Sequence, residues 1–195
     1  MVHRAKHSSS RLGRVRSTVA LEVTTVPRVT AVEHVLERAR KQAQAEFALR
    51  HPRGGSNDGS AIKVRLYDRG TSTRRQRARL SLRDREAVLA AALPPAFVDG
   101  RPNVRLVHME LIFYGDGCGG HWHVDPTAEG DEIVIATLQG CAWFELREGE
   151  TTIDATRTRR GTLLRLAGPA RRPCKHRAGP AEGGVRVALQ LGFSG

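Results

Sequence analysis

The chain has 195 residues, 39% of them hydrophobic and 27% charged, with 20 Gly and 9 Pro. That length suits one folding unit of ordinary size, and the composition excludes a disordered, collagen-like or membrane-spanning chain. The longest apolar stretch, Ala87 to Val98, is broken by Pro94-Pro95 and falls short of the roughly 20 residues that cross a bilayer, so no membrane partner is expected.

Thirty-two basic against twenty acidic side chains leave +12, and only Lys6, Lys41, Lys63 and Lys175 of the basic set are Lys. Arginine forks onto phosphate or carboxylate, so an anionic macromolecule, an acidic protein or a nucleic acid, is the expected partner; the alternative is an arginine-rich solvated surface. Cys118, Cys141 and Cys174 are an odd number at wide spacing, which indicates neither a disulfide framework nor a Cys zinc site and places the protein inside the cell, in cytoplasm or nucleus.

Residues 1–17 read as a disordered basic arm without the apolar run of a secretory signal. Residues 18–195 read as one domain, with helical support over 28–95 and a β core over 104–195. Thr18 to Val26 is β-branched and ends at Pro27, which predicts a strand. Thr30 and Glu33 have capping-box spacing and predict a helix to about Leu49. His51 to Ser60 is a dense turn cluster, and Arg69 to Arg79 reads as a surface loop. Between them, Ile62, Val64 and Leu66 alternate with Lys63 and Arg65, the period of a half-exposed strand. Ser81 and Asp84 cap a second helix that Pro94-Pro95 ends.

From Val104 onward short strand-like runs alternate with Gly and polar turns: Val104 to Tyr114, His121 to Val124, Glu132 to Leu138, Cys141 to Arg147, Glu150 to Ile153, Thr162 to Leu166 and Val185 to Phe193. Many short strands after two helices predict a mainly β sandwich or jelly roll with helices on one face.

The chemistry concentrates in Gly117-Cys-Gly-Gly-His121-Trp122-His123-Val124-Asp125. On an extended strand, His121, His123 and Asp125 all face one side. His176, before a final strand, can complete a two-His, one-carboxylate set, which leaves one face of a metal open as in non-haem Fe(II) oxygenases. On that final strand Val185, Val187 and Leu189 alternate with Arg186, Ala188 and Gln190. A guanidinium buried on the second face would need a carboxylate from a ligand; if that face is solvent, Arg186 is an ordinary surface charge.

The set His123-x-Asp125, His176 and Arg186 resembles the iron(II)/2-oxoglutarate-dependent oxygenase superfamily. Tyr114-Gly-Asp-Gly117 resembles the Y-x-x-G that precedes H-x-D there. The segment His176 to Arg186 resembles prolyl-hydroxylase-like members, whereas Trp122-His-Val-Asp125 and Gly168-Pro-Ala-Arg171 look AlkB-like. The resemblance covers roughly residues 104 to 195. It implies a double-stranded β-helix, Fe(II) on His123, Asp125 and His176, 2-oxoglutarate held by Arg186 with Tyr114 beside it, and O2 consumed in hydroxylating a C–H bond.

The chain departs from AlkB-type enzymes at Gly192, where they carry a second Arg, and at Ile112, where they carry Asn. It also lacks the long strand insert of many collagen-type prolyl hydroxylases. Neither branch is therefore claimed; because the N-terminal half shows no recognisable base-gripping lid, hydroxylation of a protein side chain is the expected activity, with AlkB-like oxidation of an alkylated nucleobase as the alternative.

His121 is read as a half-buried turn histidine, with ligation or substrate contact as alternatives, and Trp122 as a core residue that could instead touch substrate. Cys174 is read as a small apolar filler. Two other classes compete: a cupin-type metal protein using His121, His123, Glu129 and His176, and a basic nucleic-acid-binding module in which the histidines are structural. Few aromatics, 5% of the chain, weigh against the last, because single-strand binders stack bases on aromatic rings.

Overall fold

The structure is a computed structural model that describes residues 21–22, 37, 41, 45, 61–68, 80–94 and 103–195. The basic arm, the capping box at Thr30 and the loops at 51–60 and 69–79 lie outside the described residues. Glu37, Lys41 and Ala45 are helical, with Lys41 Nζ 3.8 Å from Glu37 one turn earlier.

Among the described residues eight strands form the frame: Leu21–Glu22 (β1), Ile62–Asp68 (β2), Arg105–Tyr114 (β3), Glu132–Glu148 (β4), Thr151–Thr158 (β5), Thr162–Leu166 (β6), Lys175–Ala178 (β7) and Glu182–Ser194 (β8). The larger sheet runs β1-β6-β4-β8-β3-β2, and β5 and β7 flank the second half of β4. Every one of these pairings is antiparallel.

Strand β4 ties the two sheets together. The sequence suggests two strands, broken at Gln139-Gly140, but the chain continues through that point with register shifts between Thr137, Gln139 and Cys141. Gly140 has φ +72° there, a conformation that glycine adopts without a Cβ penalty, and the resulting bulge bends one strand from the first sheet into the second.

Helix α1, Leu82–Ala92, starts where expected, with the Ser81 hydroxyl accepting from the Asp84 amide at 3.1 Å. Its Val88, and Leu93 just beyond it, join a core with Val64, Leu66, Met109, Leu111, Leu189 and Leu191 on one face of the larger sheet. The opposite face meets the smaller sheet through Ile133, Ile135, Phe144, Leu146, Leu164 and Leu166. The two faces of β8 thus serve different layers. Val187, Leu189, Leu191 and Phe193 pack toward the helix, and Arg186, Ala188 and Gln190 point between the sheets. Val185, expected with the first group, is 42% exposed because it lies at the outer end of the strand.

Candidate metal centre

His121 to Val124 is not a regular strand. It makes one bridge only, His123 opposite His176, with the His123 amide donating to the His176 carbonyl at 3.1 Å and the reverse bond at 2.8 Å. The glycine-rich run before it is held against the chain after β7. Gly117 N–H donates to the Ala181 carbonyl, Ala181 N–H to the Cys118 carbonyl, and Gly120 N–H to the Ala178 carbonyl, at 3.0, 2.8 and 2.8 Å. Backbone pairing with neighbours distant in sequence therefore brings the two imidazoles to a centroid separation of 4.5 Å.

His123, Asp125 and His176 each offer a ligand atom, all within 4.8 Å of one another. The Nε2 atoms of His123 and His176 lie 3.4 Å from Asp125 Oδ1 and 3.3 Å from Asp125 Oδ2. Asp125 and His176 are buried, and both carboxylate oxygens and both His176 ring nitrogens lack a hydrogen-bond partner. Converging buried donor atoms without partners are costly. A divalent cation satisfies them, and two imidazoles with one carboxylate suit a non-haem iron ion. The residues present fit the group.

The titration behaviour of the three side chains fits the same picture. Burial would raise the Asp125 pKa, but the two imidazoles beside it override that and hold the carboxyl well below its usual range. The contact with Asp125, opposed by burial, raises that of His123. Burial, outweighing the same carboxylate, lowers that of His176. The ring of His176 also stacks on Phe144, centroids 5.5 Å apart.

Beside the trio a cavity of about 300 Å³ is lined by His123, His176, Tyr114, Lys63, Gln190 and Arg186 among others. Arg186 is 1% exposed, and its Nε and Nη2 have no hydrogen-bond partner. The surface alternative for Arg186 is thereby excluded. Its guanidinium carbon stands 5.1 Å from the centroid of the buried Tyr114 ring. Burial lowers the Arg186 pKa and raises that of the Tyr114 hydroxyl, the latter opposed by Arg186 itself. A buried, partly unsatisfied guanidinium facing a cavity has the geometry and charge to take a carboxylate.

Two readings from the sequence change. Trp122 is not in the core: it is half-buried, with the guanidinium carbons of Arg147 and Arg177 at 4.5 and 4.6 Å from its ring. The extended-strand reading of His121, His123 and Asp125 gives way to a turn in which His121 is exposed and lines the cavity, and its carbonyl accepts from His123 Nδ1 at 2.7 Å. Glu129, the cupin-type candidate, accepts from Gln190 Nε2 at 2.9 Å and stands outside the group of three. Cys174 packs in the apolar layer between the sheets, and burial raises its pKa.

Sequence reasoning missed two features. Glu110, 1% exposed, faces Lys63 Nζ at 3.2 Å, His108 Nε2 at 3.5 Å and Arg65 Nη2 at 3.7 Å. The signal available was a carboxylate in the middle of an apolar strand, on the same face as Tyr114. The other is Arg171, which is buried although it lies in the stretch from Arg157 to Arg177, a run of basic residues without an acid. Within that run Arg157, Arg165 and Arg177 are also engaged, with Glu182, Glu132 and Glu145.

No family model and no curated protein matches the sequence. Solved structures do match in fold. The viral collagen prolyl hydroxylase of Paramecium bursaria Chlorella virus-1, solved with 2OG, covers 92% of this chain and 96% of its own at 10% identity and TM-score 0.53. An oxidoreductase of the 2OG-Fe(II) oxygenase family from Burkholderia pseudomallei covers 69% of this chain and 67% of its own at 11% identity and TM-score 0.50. With its two antiparallel sheets joined through β4, the chain has a double-stranded β-helix fold, shared with these two oxygenase structures.

Proposed function

We propose that the chain is an Fe(II)- and 2-oxoglutarate-dependent dioxygenase that hydroxylates a macromolecular substrate, a protein side chain. The observation that carries this reading is the juxtaposition, in one cavity, of three converging ligand atoms and a buried guanidinium with unpartnered N–H groups. His123, Asp125 and His176 would hold the metal. Arg186 would pair with the far carboxylate of 2-oxoglutarate, with Tyr114 beside it. When bound, the metal and cosubstrate supply oxygen activation coupled to decarboxylation of 2-oxoglutarate to succinate.

The protein's own residues do the rest. The His121 carbonyl holds the His123 ring so that Nε2 faces Asp125, and such a partner fixes tautomer and orientation. Ile112, Ile135, Phe144 and Ala188 give the cavity apolar walls that limit water around the reacting groups.

A protein substrate is supported over an alkylated base by two observations. A side chain at Gly192, where AlkB-type enzymes carry an Arg, would overlap the Glu129 carbonyl oxygen. Trp122, which lies between His121 and His123 in the chain, is already engaged by two guanidinium groups, whereas a flipped base needs a free stacking face. The overlap between this fold and that of the viral collagen prolyl hydroxylase supports the same choice. The net charge of +12 fits an acidic polypeptide partner, met in cytoplasm or nucleus. The test is mass spectrometry of acidic and proline-containing peptide libraries and of methylated oligonucleotides, each incubated with enzyme, Fe(II), 2-oxoglutarate and O2. Gain of one oxygen atom on a peptide is expected; loss of a methyl group from an oligonucleotide, with no peptide product, overturns the protein assignment.

A further inference from the structure

Arg171 follows the short turn Gly168–Ala170, five residues before His176. Its side chain is 2% exposed. Nη1 donates to the Asp125 carbonyl at 2.9 Å, and Nη2 donates to the Pro126 and Gly130 carbonyls at 2.8 and 3.0 Å. Nη1 also stands 3.9 Å from Asp125 Oδ2. All three acceptors belong to the turn that leads from Asp125 into β4.

Burying a guanidinium against neutral carbonyls is costly, and a role in packing alone is served as well by an apolar side chain of equal volume. What an apolar side chain lacks is a planar fork that binds several acceptors at fixed angles. The turn 125–130 has little regular structure of its own. Thr127–Glu129 is a single 3₁₀ turn, closed by the Gly130 amide on the Thr127 carbonyl at 3.0 Å. Arg171 instead ties both ends of that turn to the segment carrying His176, so two of the three ligands share one rigid support.

We propose that Arg171 is a positioning residue: by clamping the carbonyls of Asp125, Pro126 and Gly130 it fixes the backbone from which the Asp125 carboxylate reaches the metal, and so sets metal affinity. This rests on the metal-centre reading above. Ligand-orienting partners of this kind alter metal affinity by about 10- to 100-fold.

The experiment is an anaerobic Co(II) titration, followed by visible absorption and by competition with a chelator, on wild type, Arg171→Lys and Arg171→Gln. Thermal melting of each metal-free protein is recorded alongside. At least one variant is expected to keep the wild-type circular dichroism spectrum while binding Co(II) at least tenfold more weakly, with altered visible band intensities. Wild-type affinity and bands in every variant that folds, even at lower Tm, overturn the proposal. Failure of both variants to fold also overturns it, by making Arg171 a stability residue only. Absence of Co(II) binding by wild type defeats the underlying metal reading, an outcome distinct from either of these.

Discussion

The Nδ1 atom of His123 lies 2.7 Å from the carbonyl oxygen of His121, and Nε2 of the same ring lies 3.4 Å from Asp125 Oδ1. A carbonyl only accepts, so Nδ1 carries a proton, and in the neutral ring it is Nε2 that is left free to ligate. His121 therefore serves through its backbone. Replacing its side chain, His121→Ala, is expected to leave Mn(II) affinity within about threefold of wild type, whereas His123→Ala, which removes a ligand, is expected to abolish specific binding. Titration followed by electron paramagnetic resonance of free Mn(II) checks both; the opposite ranking would make His121 the first ligand.

Metal affinity should rise with pH. Ligation needs neutral imidazole. His176 is already neutral near pH 7 because burial lowers its pKa, so the proton that must leave belongs to His123, whose pKa the Asp125 contact raises above 6.5. Without metal the sign for stability reverses. Stabilisation from protonated His123 is full below its unfolded value and is lost as pH rises through its raised folded value. Buried His176 acts against this below about pH 6.5, where the unfolded chain takes up its proton. Co(II) affinity measured from pH 6 to pH 8.5 should therefore increase with release of about one proton per metal; a flat profile would contradict the assignment.

Arg186 is buried with Nε and Nη2 unpartnered, which is costly to the fold. Arg186→Met is expected to leave the unliganded protein as stable as wild type or more stable, by as much as about 1–4 kcal/mol. The same change should remove the rise in Tm that 2-oxoglutarate produces with Mn(II), since loss of a buried charged pair weakens binding by about 2–5 kcal/mol. Differential scanning fluorimetry with and without 2-oxoglutarate reads both effects. An undiminished ligand shift in the variant would show that the carboxylate receptor lies elsewhere.

Gly192 has no room for a side chain. A Cβ at that position would overlap the Glu129 carbonyl and crowd the His108 side chain and the Glu129 carbonyl carbon at 2.9 and 2.8 Å. Gly192→Ala is expected to cost about 1–3 kcal/mol or more by overpacking, read by urea unfolding, and Gly192→Arg is expected not to fold. A neutral Gly192→Ala would show that the 125–130 turn yields, and with it the support of Asp125.

Much of this was legible in the sequence because period-two alternation survives burial. Ile62, Val64 and Leu66 mark β2, the Ser81 cap marks α1, and the opposite faces of β8 put Arg186 with Gln190 and away from Leu189. His123, Asp125 and His176 were legible because H-x-D, weak alone, stands at a set spacing from a later His and from Arg186 on the final strand. What was not legible depends on pairing between distant segments. The continuity of β4 through Gly140 comes from a bulge, and short β7, Lys175–Ala178, is a strand only because β4 pairs with it. Trp122 resembles a core residue in composition but stands beside Arg147 and Arg177. Arg171 sits in a run of charges indistinguishable from a solvated loop, and only the fold shows three carbonyls within its reach.

Succinate formation reads out whether this cavity couples a metal on His123, Asp125 and His176 to 2-oxoglutarate on Arg186. Anaerobically purified wild type, Asp125→Ala and Arg186→Ala would be given Fe(II), 2-oxoglutarate and then O2. The account predicts slow succinate release by wild type without added substrate, none above background by Asp125→Ala, and release by Arg186→Ala only at about 30-fold higher 2-oxoglutarate or more, the equivalent of about 2 kcal/mol. No succinate from wild type, together with no calorimetric binding of 2-oxoglutarate in the presence of Mn(II), would contradict it.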